Sequence, residues 1–132
     1  MGDPIRIGIA GAGKIVASEH VPRLRAIPGV ELVAVANQTA ESSRRAAEAL
    51  DIGRANRHWG ELIEDEELDA ILIGTWPYLH APIAAAALWA GKHVLTEARM
   101  ATDAGAASEM LDAANEHPEL TAMVVPASFS VW

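Results

Sequence analysis

Side chains fit for chemistry gather at a few points along the chain. Glu97-Ala98-Arg99 follows His93-Val94-Leu95-Thr96, which reads as a short strand, so a carboxylate and a guanidinium stand where that strand ends. In open α/β sheets, ligands bind outside the carboxyl ends of strands. A carboxylate at such a place can position a ligand or exchange a proton. Arg99 cannot serve as a base, because guanidinium stays protonated. It can still hold a carboxylate or phosphate, or bring positive charge to a developing alkoxide. His80 stands in the first turn of a helical segment after Thr75-Trp76-Pro77, where packing or capping competes with ligand contact as its role. His20, His58, His93 and His117 show no metal-ligand spacing and no carboxylate partner pattern, and no metal is expected.

The stretch Ile-Gly-Ile-Ala-Gly-Ala-Gly-Lys-Ile, residues 7–15, offers backbone rather than side chains. Gly11 permits a tight turn after a strand. Gly13 removes a side chain, so a pyrophosphate can approach the free N–H groups of a helix N-terminus, where the helix dipole favours negative charge. The third glycine position of Gly-x-Gly-x-x-Gly is Val16, so the fingerprint is incomplete; a small residue there normally lets helix and strand pack closely. Its place after the first strand of a βαβ series points to nucleotide binding, the alternative being a turn without a ligand. An acid at the end of the second strand would bind the ribose 2′-OH of NAD. Asn37-Gln38-Thr39 occupies that place, with Arg44 beyond, so nothing there repels a 2′-phosphate and the reading leans to NADP over NAD. Arg44 and Arg45 otherwise read as a solvated helix face.

These groups need strands that end beneath them. Ile5–Ala10, Val30–Ala36 and Ala70–Gly74 are apolar, β-branched runs of the kind buried on both faces of a parallel sheet. Lys92–Thr96 and Leu120–Val125 read as two more, and a short strand is expected near Asn56–Trp59. Helices are expected over Lys14–Ala26, Ala40–Leu50, Glu61–Glu67, Leu79–Ala90 and Thr102–Glu116. Pro82 stands in the first turn of the fourth and Gly91 just past its end. Thr102 or Asp103 caps the fifth. Trp59, Leu62 and Ile63 read as core, and the acidic run from Glu64 to Glu67 as a solvated turn. Alternating strands and helices give an α/β fold, a Rossmann-type doubly wound parallel sheet with helices on both faces, in a single domain.

Composition narrows the function classes. A chain of 132 residues, 51% hydrophobic, suits one domain with a real core. A net charge of −8 argues against a nucleic-acid surface and against an anionic membrane surface. The absence of cysteine excludes disulfides, thiolate catalysis and cysteine-based zinc sites, and is compatible with the cytoplasm. The first residues lack the basic and long apolar regions of a secretory signal. The alanine-rich run from Ala81 to Ala90 is too short to span a bilayer and carries Pro82.

Three stretches together carry a resemblance: Gly11-Ala12-Gly13-Lys14-Ile15, Thr75-Trp76-Pro77-Tyr78-Leu79-His80, and Gly-Lys-His-Val-Leu-Thr-Glu-Ala-Arg at 91–99. In that order and spacing they resemble the Gfo/Idh/MocA family of glucose–fructose oxidoreductases and inositol dehydrogenases. That family shows Gly-x-Gly-x-Ile at the first turn, Thr-Pro-x-x-x-His after the fourth strand and Gly-Lys-His-Val-x-x-Glu-Lys-Pro at the fifth. The resemblance covers nearly the whole chain. It implies an NAD(P)-dependent oxidoreductase that moves hydride between a nicotinamide and a sugar, cyclitol or related hydroxylated compound. It implies cofactor contacts at Gly11, Ala12, Gly13, Lys14, Ile15, Thr75, Trp76, Pro77, His80 and Glu97, beside Asn37, Gln38 and Thr39. Two departures stand out. Ala98 replaces the lysine that assists proton transfer in the family, which leaves Glu97, mainly a positioning residue there, and Arg99 as candidate catalytic groups. Trp76 splits the Thr-Pro pair and sets an apolar slab near the cofactor.

Members of the family continue into a second α/β domain that holds substrate and often makes the subunit interface, which would allow a homo-oligomer. Residues 1–132 therefore read as the dinucleotide-binding domain of a longer protein, binding cofactor weakly and without turnover alone. The alternative is a one-domain protein that buries Phe129, Val131 and Trp132 in a partner or a dimer. A non-catalytic nucleotide-responsive or protein-interaction module on the same fold is the second functional reading. S-adenosylmethionine as ligand is a third, disfavoured by the phosphate-shaped turn and the linked motifs.

Overall fold

A computed structural model describes residues 2–126, so Phe129, Val131 and Trp132 lie outside the described residues. Six strands form one parallel sheet: β1 (Ile5–Ala10), β2 (Val30–Ala36), β3 (Arg54–Asn56), β4 (Ala70–Ile73), β5 (His93–Thr96) and β6 (Ala122–Val124). Their order is β3-β2-β1-β4-β5-β6. This is the doubly wound Rossmann order, with its switch point between β1 and β4.

The central strands are apolar because both faces are covered. Ile71 and Ile73 of β4 join one core, and Leu72 between them joins the other, as the two-residue period of a strand requires. On Leu72's face, Ile9 and Val35 pack with α1 (Val21–Arg25) and α2 (Ala40–Leu50) through Val21 and Ala47. On the other face lie α3 (Trp59–Glu64), α4 (His80–Trp89) and α5 (Ala104–Glu116), joined through Leu62, Ile83, Leu88 and Met110. Among the described residues no helix is long and apolar enough to cross a membrane.

Several boundaries differ from the sequence expectation, each for a local reason. The first helix is not regular over Lys14–Ala26: a π-helical turn, Val16–His20, precedes α1, and the Val21 N–H bonds the Val16 carbonyl. Pro22 donates no N–H, and its ring crowds the carbonyl four residues back, which favours a widened turn upstream. β3 ends at Asn56 rather than spanning Asn56–Trp59. His58 then caps α3 by accepting from the Gly60 N–H at 2.9 Å, so that helix starts at Trp59 and ends at Glu64 instead of covering Glu61–Glu67. β5 starts at His93, one residue late, because buried Lys92 is turned inward. Its Nζ donates to the carbonyls of Asp65 at 2.6 Å and Leu68 at 2.9 Å. β6 is shorter than Leu120–Val125, since the Leu120 N–H is held in a turn by the His117 carbonyl and the Thr121 N–H donates to His93 Nδ1. α5 starts after Asp103, whose carboxylate accepts from the Ala106 N–H at 2.8 Å.

Candidate functional site

The site begins where β1 runs out. Gly11 has φ +86°, a left-handed conformation that favours glycine. A Cβ on Gly11 would lie 2.7 Å from the Thr75 nitrogen, so backbone from β4's end closes against it. Gly13 is different. A Cβ there would meet nothing nearer than the Gly74 carbonyl oxygen at 4.0 Å. The protein itself does not need glycine at 13, and the space it leaves open faces whatever approaches the turn. The first helical hydrogen bond runs from Ala17 N–H to the Gly13 carbonyl at 3.0 Å. The N–H groups of Lys14, Ile15 and Val16 precede it and have no helical partner, an arrangement that favours anions.

The missing third glycine has a structural answer. Val16 is buried, 2% exposed, and a Cβ on Gly74 would fall 2.3 Å from Val16 Cγ2. The close approach of helix and sheet is kept, with the bare position moved from the helix to the end of β4.

Asn37 locks the turn. Its Oδ1 accepts from the Ala12 N–H at 2.8 Å, its Nδ2 donates to Ser42 Oγ at 3.0 Å, and its own N–H donates to Ser43 Oγ at 2.8 Å. Its amide is thus spent within the protein, tying the glycine turn to the start of α2. Thr39 is likewise occupied as the cap of α2, accepting from the Ser42 N–H at 3.0 Å, and Arg44 is exposed.

Above the switch point lies a cleft of about 530 Å³. Of the residues named from the sequence as cofactor contacts, Gly11, Ala12, Gly13, Asn37, Gln38, Thr75 and Trp76 line it. Trp76 is 69% exposed and Tyr78 61%, so both stand at the rim. Lys14, Ile15, Thr39, Pro77, His80 and Glu97 do not line the cleft. Lys14 and Ile15 sit exposed at the helix start, and Pro77 opens a short 3₁₀ turn, Pro77–Leu79. Residues the sequence reading missed include Ser42, His58, Tyr78 and Gly74. Trp59, read as core, is only partly buried and also lines the cleft. The boundary of β3 was the obstacle: placing the strand over His58 and Trp59 hid their position beyond its carboxyl end.

The β5 corner is arranged by two histidines. His80 is 1% exposed; its Nδ1 faces the Arg99 carbonyl at 2.7 Å and its Nε2 the Thr75 carbonyl at 3.0 Å. It ties the loops after β4 and β5 together, a packing role. Glu97 extends the ladder by donating its N–H to the Ile73 carbonyl at 2.9 Å, and its carboxylate bonds His20 Nε2. The expectation that His20 has no carboxylate partner is therefore wrong. Both side chains are largely buried, 14% and 18% exposed. No local spacing reveals such a pair; the π-helical turn that ends at His20 and the β1-β4-β5 adjacency bring them together. Ala98 is half-buried and Arg99 is exposed.

Comparison with known proteins agrees with this geometry. Residues 5–124 match the Gfo/Idh/MocA oxidoreductase family, NAD-binding Rossmann fold. A dTDP-3,4-didehydro-2,6-dideoxy-alpha-D-glucose 3-reductase of Streptomyces violaceoruber is 38% identical over 112 residues, 85% of this chain and 32% of that protein. Inositol 2-dehydrogenase 3 of Saccharopolyspora erythraea is 35% identical over 101 residues, 75% of this chain and 29% of that protein. The crystal structure of a 3-ketoreductase from Actinomadura kijaniata, in complex with TDP-benzene and NADP, superposes with a TM-score of 0.83 at 32% identity, covering 92% of this chain and 38% of that one. The chain spans about a third of the length of these relatives.

Proposed function

The chain belongs to the Gfo/Idh/MocA oxidoreductase family, and from that premise we propose that residues 1–132 are the dinucleotide-binding domain of an NAD(P)-dependent oxidoreductase acting on a sugar, cyclitol or related hydroxylated compound. The observation that carries the reading is Gly13, a bare position that the protein's own packing does not require, at the mouth of the switch-point cleft. A Cβ there would fill the approach to the helix N–H groups. The N–H groups of Lys14, Ile15 and Val16 would take the pyrophosphate, with Asn37 holding the turn in shape. Thr75 and Trp76 line the cleft beside the turn. The nicotinamide, when bound, supplies the hydride acceptor or donor. Glu97, fixed by His20, holds its carboxylate at the β5 corner, and with Ala98 in place of lysine Glu97 and exposed Arg99 are the candidate catalytic groups the chain offers there. The substrate class is supported by the relatives' names, a sugar 3-reductase and an inositol dehydrogenase.

The preference is for NADP. Residues 37–39 carry no acid, and the similar ketoreductase is a complex with NADP. The second domain of the family would hold the substrate and make the subunit interface, and the cysteine-free composition fits the cytoplasm.

Ala98 favours a second reading, a nucleotide-responsive module without redox activity. The two separate in one assay. The chain joined to a substrate-binding remainder is incubated with NADP or NAD and a panel of inositols, aldoses and nucleotide-linked deoxysugars, and nicotinamide reduction is followed by absorbance. Turnover on any member supports the oxidoreductase; saturable cofactor binding with no turnover across the panel puts the module ahead.

A further inference from the structure

The cleft contains a polar side chain that the glycine turn does not explain. His58 is exposed, follows β3 and lines the cleft with Gln38 and Ser42. The sheet register fixes its level. Ala36 pairs with Asn56 across β2 and β3, so Gln38 and His58 each stand two residues past the last paired position of adjacent strands about 4.8 Å apart. A Rossmann sheet reads the ribose 2′ position from the end of its second strand, at that level.

The ring is held in one tautomer. Nδ1 accepts from the Gly60 N–H at 2.9 Å, so the neutral imidazole carries its proton on Nε2. The ring lies beside Trp59, centroids 5.0 Å apart, which restrains its plane. His58 therefore offers a donor and no free acceptor. Three neighbouring side chains are engaged, Asn37 on the glycine turn, Thr39 on Ser42, and Glu41 on Arg45 at 3.0 Å, while the Gln38 amide and the Ser42 hydroxyl line the cleft beside His58 as further donors. Exposed charges nearby in sequence are Arg44 on α2, Arg57 before His58 and Glu61 in the first turn of α3. A fixed donor suits a phosphate oxygen, which only accepts.

We propose that His58 reads the 2′ substituent of the adenosine ribose, donating from Nε2–H to a 2′-phosphate. This rests on the dinucleotide reading above.

The test is calorimetric titration of the chain with NADP and with NAD, for wild type, His58→Asp and His58→Asn. Aspartate and asparagine both cap helices well, so the start of α3 survives either change. Aspartate replaces the donor with a charged acceptor, whereas asparagine can cap through Oδ1 and still donate through Nδ2. His58→Asp should weaken NADP by about tenfold or more, as loss of one charge-assisted hydrogen bond implies, while NAD is held as well as before or better, because a carboxylate at this level can accept from the ribose 2′-OH. His58→Asn should keep most of the NADP affinity. Equal losses for both cofactors, or an unchanged NADP affinity, would overturn the assignment. Should neither variant fold, wild type can still refute the assignment: 2′,5′-ADP must bind more tightly than 5′-AMP, and equal affinities overturn it. If wild type binds neither dinucleotide, the dinucleotide reading falls and takes the assignment with it, a result unlike any of the others.

Discussion

Gly11 and Gly13 are separated by a single residue in the chain and answer to different demands. Gly11 has a positive φ and backbone packed where its Cβ would be, so Gly11→Ala should destabilise the fold by about 2 kcal/mol or more. Thermal unfolding of the variant checks this. Gly74 is closely packed too, its would-be Cβ lying 2.3 Å from Val16 Cγ2 and 2.6 Å from the Gly11 carbonyl oxygen. Gly74→Ala should cost about 1–3 kcal/mol by overpacking, and Val16→Ala in the same chain should recover part of the loss. Additive losses in that pair would refute the packing account. The Gly-x-Gly turn was legible in the sequence because its spacing is local. The exchange of bulk between Val16 and Gly74 was not, since it joins a helix start to the end of a distant strand. The His20–Glu97 pair was hidden for the same reason. His20→Ala, Glu97→Gln and the double variant should show a coupling of about 0.5–3 kcal/mol in urea unfolding, as expected for groups in contact; zero coupling would mean the pair does not form in solution.

Hydrophobic runs and caps announced most strands and helices, and the misplaced boundaries trace to side chains that act out of type. A histidine caps α3 where serine, threonine or an acid would have marked the start, and Pro22 widens the turn before α1. Lys92 reads as the first residue of a strand yet serves the loop between α3 and β4. Burial holds its ammonium below the ordinary value near 10.5, against the opposing pull of Asp65, Asp69 and Glu66. Between the lowered value and 10.5 the unfolded chain binds the proton and the folded chain does not. Stability therefore rises with pH across that window, and the gain is lost as pH falls back through the lowered value. Lys92→Met keeps the apolar stem and removes this slope. It also strips the Asp65 and Leu68 carbonyls of their donor, costing about 1–3 kcal/mol near neutral pH. Urea unfolding from neutral to alkaline pH checks both effects; an unaltered slope would show that Lys92 is not the titrating group.

The strand order brings together the ends of β1, β2 and β4 around one cleft and leaves the β5 corner beside it, linked to the first helix by His20 and to the β4 loop by His80. That arrangement followed from alternating strands and helices, so the class of fold and the glycine turn could be derived before any coordinates. The cleft's other wall could not, because Tyr78, Trp59 and His58 become neighbours only through the sheet. The chain spans about a third of its relatives' length, and on the proposed function it should bind a dinucleotide alone without turnover. The most direct measurement is calorimetric titration of the chain with NADP, run beside Gly13→Ala. The account predicts saturable one-to-one binding by wild type. It predicts loss of about tenfold or more in the variant, with both proteins unfolding at the same temperature, since the fold has room for that methyl group. Equal binding by the two, or none by wild type up to millimolar NADP, would contradict it.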